Sequence, residues 1–139
     1  MRSCSYRRES HDRKITQIEG HKLKAEYKGV EIISGRVNPG SVYEGMSPGA
    51  LMTASLGLCT AMHVETYLNK EDIEYGGITV SLSNKYERAP TRTVEFTLDV
   101  EVDGDLTEEQ REGVIEEANR CYVGNTMKGG PKININLLT

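Results

Sequence analysis

The sequence predicts an α+β fold with antiparallel sheet, and three observations carry that reading. Strand-like runs come in groups, and single helical stretches separate the groups. Two runs, 78–83 and 93–102, alternate apolar and polar residues as half-buried strands do. The stretch Ser47–Asn69 carries no charge between Ala50 and Met62, so no face of that helix is expected to be solvated.

Taken in order, Met1–Asp12 sets Arg2, Arg7 and Arg8 against Glu9 and Asp12 and reads, with Arg13, as a flexible tail (residues 1–13). Cys4 lies in it and is read as incidental. A single domain is expected over residues 14–139, within the size of one core. Lys14–Ile18, Lys22–Tyr27 and Val30–Ser34 form three short strands punctuated by Gly20 and Lys28-Gly29. A loop with the turn sequence Asn38-Pro39-Gly40 follows, with Arg36 at its entrance and Glu44 near its end. Ser47 then offers an N-cap and Pro48 suits the first helical position. Cys59 sits mid-helix, sharing its side with Met52, Ser55, Leu56, Met62, His63 and Thr66, whereas Ala54, Ala61, Val64 and Leu68 face the other way.

After the two alternating strands, Thr107-Glu108-Glu109-Gln110 is a capping box that opens a second helix. Val114, Ala118 and Cys121 fall on one stripe, which places Cys121 in the last inward-facing turn, with Gly124 as the C-cap. Gly129-Gly130-Pro131 leads to a final strand in which Ile133, Ile135 and Leu137 alternate with Asn134 and Asn136.

Composition narrows the function classes. The net charge of −4 argues against a nucleic-acid or anionic-membrane partner. No apolar run reaches the roughly 18 residues of a membrane helix, and MRSCSYRRES has no apolar signal region, so a soluble cytoplasmic protein is expected. Three cysteines are too few for a disulfide scaffold. With no Trp and a single Phe there is little material to wrap an apolar helix, which points to a homodimer whose partner supplies the missing cover. Cys59 and His63 alone do not make a metal site, and neither His11 nor His21 has ligand-like spacing. No GxSxG or phosphate-loop pattern is present. Read from residues alone, each of Cys59 and Cys121 is either a small buried hydrophobe or a reactive thiol.

The run SPGALMTASLGLCTAM resembles the signature of the OsmC/Ohr family through Pro48, Leu51, Ala54, Leu56, Gly57, Cys59, Thr60, Ala61 and Met62. The run ANRCYVGNTMKGGPKININL is similar to the family's C-terminal cysteine motif. The resemblance implies an OsmC-like fold with antiparallel sheets around two central helices in an intertwined homodimer. It also implies a thiol-dependent peroxidase that reduces organic hydroperoxides in oxidative-stress defence, with no bound cofactor and an external dithiol as reductant. By position, Cys59 would be the peroxidatic thiol and Cys121 the resolving one. Cys59, deep among apolar side chains, would need a cation to hold its thiolate. The family's arginine falls on Arg36. Gly49 and Ala50 stand where peroxidase members carry a glutamate, and Glu44 is the substitute carboxylate. That departure motivates a second reading, a non-catalytic module of the same fold that binds a small lipophilic ligand at the dimer interface. A third, Cys-dependent hydrolysis or thiol transfer with His63 as base, requires His63 within reach of the Cys59 sulfur.

Overall fold

The computed structural model describes residues 13–139. The tail expected over residues 1–13, with Cys4, lies almost wholly outside the described residues. The chain is α+β, in the order βββαββαα. It divides into two compact units, one running to Leu51 and one spanning Met52–Thr139.

The first unit is an antiparallel meander of β1 (Lys14–Glu19), β2 (His21–Tyr27) and β3 (Val30–Arg36). Gly20 and Gly29 make the turns at positive φ, which a residue without Cβ adopts at no steric cost. Gly35 and Gly45 bridge β3 to the following loop, and a Cβ on Gly45 would collide with the Ile33 carbonyl, so the loop lies flat against the strand only as glycine. Ser47 caps α1 (Pro48–Lys70) as expected, its Oγ accepting from the Ala50 N–H at 3.2 Å.

In the second unit, β4 (Ile78–Arg88) and β5 (Thr91–Val102) pair antiparallel, with Ile78 opposite Val102, Val80 opposite Val100 and Leu82 opposite Leu98. The alternation predicted for 78–83 and 93–102 holds except at Thr93 and Val94, where the half-buried and exposed faces are exchanged. The register shifts at Lys85/Tyr86, Val94 has no cross-strand partner, and it turns out to solvent at 53% exposure. Val64 and Leu68 of α1 and Val114 of α2 (Glu108–Ala118) form the core, flanked by Tyr67, Ile78, Val100 and Val102. Thr107 caps α2 through both halves of the capping box.

Two expectations are corrected. α2 stops at Ala118, capped by Asn119, whose side-chain amide donates to the Ile115 carbonyl at 2.9 Å. Cys121 therefore does not end that helix. It leaves helical dihedrals and becomes the N-cap of a further helix, α3 (Tyr122–Gly129), in which Gly124 is an interior residue and Gly130, at φ 58°, is the left-handed stop. The run 131–139 forms no strand. A strand needs a neighbour to complete its ladder, and this run pairs with none of the described residues, leaving Ile135 92% exposed. As the shortage of aromatic residues leads one to expect, α1 is not covered all round within one chain, since Leu58 and Met62 stand more than half exposed.

Candidate active site

α1 and α3 carry the two thiols. On α1, Leu56, Thr60, Val64 and Leu68 recur every fourth residue and make the buried stripe. Gly57 lies beside it, and a Cβ there would sit 2.6 Å from Leu82 Cδ1, so the glycine sets how closely β4 approaches the helix. Cys59 is half-buried, next to that stripe. Cys121 is 2% exposed and Thr60 is 4% exposed. The greater depth thus belongs to Cys121, contrary to the expectation that Cys59 would be the deeply enclosed sulfur. Helical rotation places Cys59 one position off the core stripe, whereas Cys121 is driven inward as α3 begins.

Within the second unit the structure brings the two sulfurs together. The Cys59 thiol donates a hydrogen bond to the Cys121 sulfur. Burial pushes the Cys59 thiol above its ordinary ionisation range, and the bond to Cys121 pushes the same way. The N–H groups of Val123 and Tyr122 oppose this and are outweighed. Burial also acts to raise Cys121. There, however, the Cys59 thiol, the Gly124 N–H at 3.4 Å, the Thr60 hydroxyl and the Val123 N–H together hold it below the ordinary range. The first turn of α3 therefore supplies unpaired N–H groups to a sulfur pair, as a helix start can for any anion. The sequence predicts no α3, and with it no donors for either thiol. The signal was present in Lys128-Gly129-Gly130-Pro131, a helix stop too distant to close a helix ending at Cys121.

A cavity of about 420 Å³ adjoins Cys121, bounded by Leu56 and Thr60 of α1, Phe96 and Leu98 of β5, and Met127 and Lys128 of α3. Its wall is mainly apolar. A larger hollow of about 820 Å³, between Gly76-Gly77, Asp103 and Arg111, contains no thiol.

His63 turns to α2, where its Nδ1 lies 3.3 Å from Glu117 Oε1. The groups that set the protonation of Cys59 are Cys121 and the α3 amides, so nothing here assigns His63 the part of base. Arg36 and Glu44 belong to the first unit. The Arg36 Nη1 donates to the Ser41 carbonyl at 3.3 Å, and its guanidinium lies 4.4 Å over the Tyr43 ring. Glu44 accepts from Lys22 Nζ at 2.9 Å. Among the described residues no group of His, Cys, Asp or Glu converges to hold a metal ion, and no helix is long and apolar enough to cross a membrane.

The fold is shared with several solved structures. An OsmC-like protein from Mycoplasma pneumoniae superposes with a TM-score of 0.74 at 18% identity, covering 92% of this chain and 95% of its own. An OsmC-like protein of unknown function from Vibrio cholerae gives 0.69 at 17% identity, with 86% and 94% covered. The organic hydroperoxide resistance protein OhrB of Bacillus subtilis gives 0.58 at 19% identity, with 85% and 91% covered. No curated protein matches the sequence. The OsmC family model, described as OsmC-like protein, matches residues 39–136, which include both cysteines and the helices that bear them. The chain belongs to the OsmC family.

Proposed function

We propose that the protein is a thiol-dependent peroxidase that reduces organic hydroperoxides, and that Cys59 and Cys121 form its redox pair. The contact between these two sulfurs carries the reading, and a mainly apolar cavity lies on the Cys121 side of the pair. The hydroperoxide class follows the Bacillus subtilis neighbour, an organic hydroperoxide resistance protein, and an apolar wall suits an alkyl tail.

Of the two thiols Cys121 is the easier to ionise, so the first proton lost by the pair comes from it. Transfer of the Cys59 proton to Cys121 yields the Cys59 thiolate. That thiolate attacks the terminal peroxide oxygen, the O–O bond breaks, and Cys59 becomes a sulfenic acid. The alkoxide takes the proton from Cys121 and leaves as alcohol. The Cys121 thiolate then attacks the Cys59 sulfur, forming a disulfide and expelling hydroxide. An external dithiol restores both thiols. On this proposal Arg36 supplies the cation that orients the peroxide, and Glu44 acts in place of the carboxylate missing at Gly49.

The assembly is proposed to be a homodimer. Proteins of this family are generally dimeric. Leu58 and Met62 of α1, and Ile133, Ile135, Leu137 and Leu138 after α3, are exposed in the single chain.

Stoichiometric tert-butyl hydroperoxide is expected to remove two thiols per chain, and Cys59→Ser to abolish turnover. A thiol titre that stays constant under that treatment overturns the reading. The cavity also favours a second reading, a non-catalytic module that holds a small lipophilic molecule. That reading expects ligand-induced melting shifts that survive Cys59→Ser.

A further inference from the structure

We infer that Glu117 is a positioning residue for the redox pair: its carboxylate ties the turn of α1 that follows Cys59 to the residue that precedes Cys121, and so holds the two sulfurs within bonding reach. The inference deepens the peroxidase reading above and rests on it for the Cys59–Cys121 disulfide.

The tie has two ends. One carboxylate oxygen, Oε1, accepts from His63 Nδ1 at 3.3 Å. His63 follows Cys59 by four residues in a helix that runs unbroken from Pro48 to Lys70, so the two side chains are neighbours on one face, about 6 Å apart along the axis. The other oxygen, Oε2, accepts from Arg120 Nη1 at 3.4 Å. Arg120 immediately precedes Cys121. The backbone between Glu117 and Cys121 has no slack. The Arg120 N–H donates to the Glu117 carbonyl at 3.0 Å, and the Cys121 N–H donates to the Ala118 carbonyl at 3.4 Å. The charged chain His63–Glu117–Arg120 therefore runs from one turn beyond the first cysteine to one residue short of the second.

The two ends do not weigh equally. The Arg120 side chain is 65% exposed and also reaches Glu116 Oε1 at 3.5 Å, so its pair with Glu117 is screened and serves to orient the carboxylate. The His63 and Glu117 side chains are 31% and 22% exposed, and their bond joins two separate helices. Nδ1 donates either as imidazolium or as the neutral Nδ1–H tautomer. Glu117 bonds to neither sulfur and acts through where the helices stand. Two cysteines join only when their Cα atoms come within about 7 Å. A contact that keeps their elements together raises the effective concentration of one thiol at the other. By linkage, whatever the tie adds to disulfide formation, the disulfide adds to the tie.

The test uses full-length protein in a Cys4→Ser background, equilibrated with mixtures of oxidised and reduced dithiothreitol so that no hydroperoxide is involved. Both thiols lose their protons, the S–S bond forms, and two electrons with two protons pass to the oxidised reagent, which opens to its dithiol. The equilibrium constant for this exchange should fall about fivefold in Glu117→Ala and in His63→Ala, the scale of one partly exposed hydrogen bond to a charged group. The double variant should fall no further, because the two changes remove the same bond. His63→Asn, whose amide donates from nearly the place of Nδ1–H, should recover most of the loss. A contact that only stabilised the fold would act on reduced and oxidised protein alike and leave this constant unmoved. Either alanine variant carries the test if the other does not fold. An unchanged constant, additive losses in the double variant, or no recovery in His63→Asn overturns the inference. A parent protein that shows these shifts yet consumes no tert-butyl hydroperoxide overturns only the peroxidase reading, and a parent that forms no Cys59–Cys121 disulfide overturns both.

Discussion

Cys59 and Cys121 are the same side chain in two electrical settings. Both lose solvation, but Cys121 collects donors from Cys59, Gly124 and Thr60, while Cys59 keeps its proton as a hydrogen-bond donor and gains only partial compensation from α3. Titration of the reduced protein at 240 nm, in a Cys4→Ser background, should therefore show two separate steps, Cys121 ionising before Cys59. A single step for both thiols would contradict the assigned contacts. The linkage has opposite signs at the two sites. Cys121, lowered by folding, adds stability that is present above the ordinary thiol range and is lost as pH falls through its folded value. Cys59, raised by folding, adds stability that is present below that range and is lost as pH rises through its folded value. Stability of the reduced protein should accordingly peak near the ordinary thiol range. At this scale the sequence identified both cysteines and the inward face of Cys121, but set Cys59 too deep. Burial within a helix depends on the rotation of the stripe, and an error of one position exchanges a core side chain for a half-exposed one.

Among the elements, small residues decide how closely the site's scaffold packs. α1 and α2 meet where Gly113 faces Tyr67, and an added Cβ would overlap the rigid phenol ring. Gly113→Ala gains about 1 kcal/mol of helix propensity but forces the ring aside at a cost of about 1–3 kcal/mol. A net loss of up to about 2 kcal/mol is expected in urea denaturation. Gly57→Ala, which meets only the flexible end of Leu82, should cost less. A Gly113→Ala variant more stable than the parent would show that the helices separate freely. α1, α2, β4 and β5 were legible because their signals are local: N-caps, a capping box and period-2 alternation. α3 was not. Cysteine is an uncommon N-cap, and Gly124 resembles a stop when the helix start at Cys121 is unknown. The residue after an N-cap begins helix only because Cys121 leaves helical dihedrals and its sulfur takes the Gly124 N–H in place of the usual side-chain oxygen.

For the molecule as a whole, the apolar residues left outside are the informative ones. Leu58, Met62, Ile133, Ile135, Leu137 and Leu138 are each more than half exposed in one chain. Sedimentation should give a dimer at micromolar concentration, and Ile135→Asp with Leu137→Asp should shift it towards monomer while α2 and its capping box stay folded. A monomeric parent protein would remove the homodimer proposal. The final strand was predicted from a sound alternation, and what it lacks is a ladder. Periodicity states which face of a strand is apolar but not which backbone it pairs with.

By itself, the sequence determined the α+β class, the five strands and first two helices, the two reactive-thiol candidates and the family. Each of these depends on local pattern or on a motif spread along one element. Only the tertiary structure decided that the sulfurs meet, that Cys121 is the deeper and the more readily ionised, and that Thr60 and the start of α3 surround it. Hydrogen bonds between residues some 60 positions apart in the chain leave no periodic trace, because their partners are chosen by packing and not by spacing.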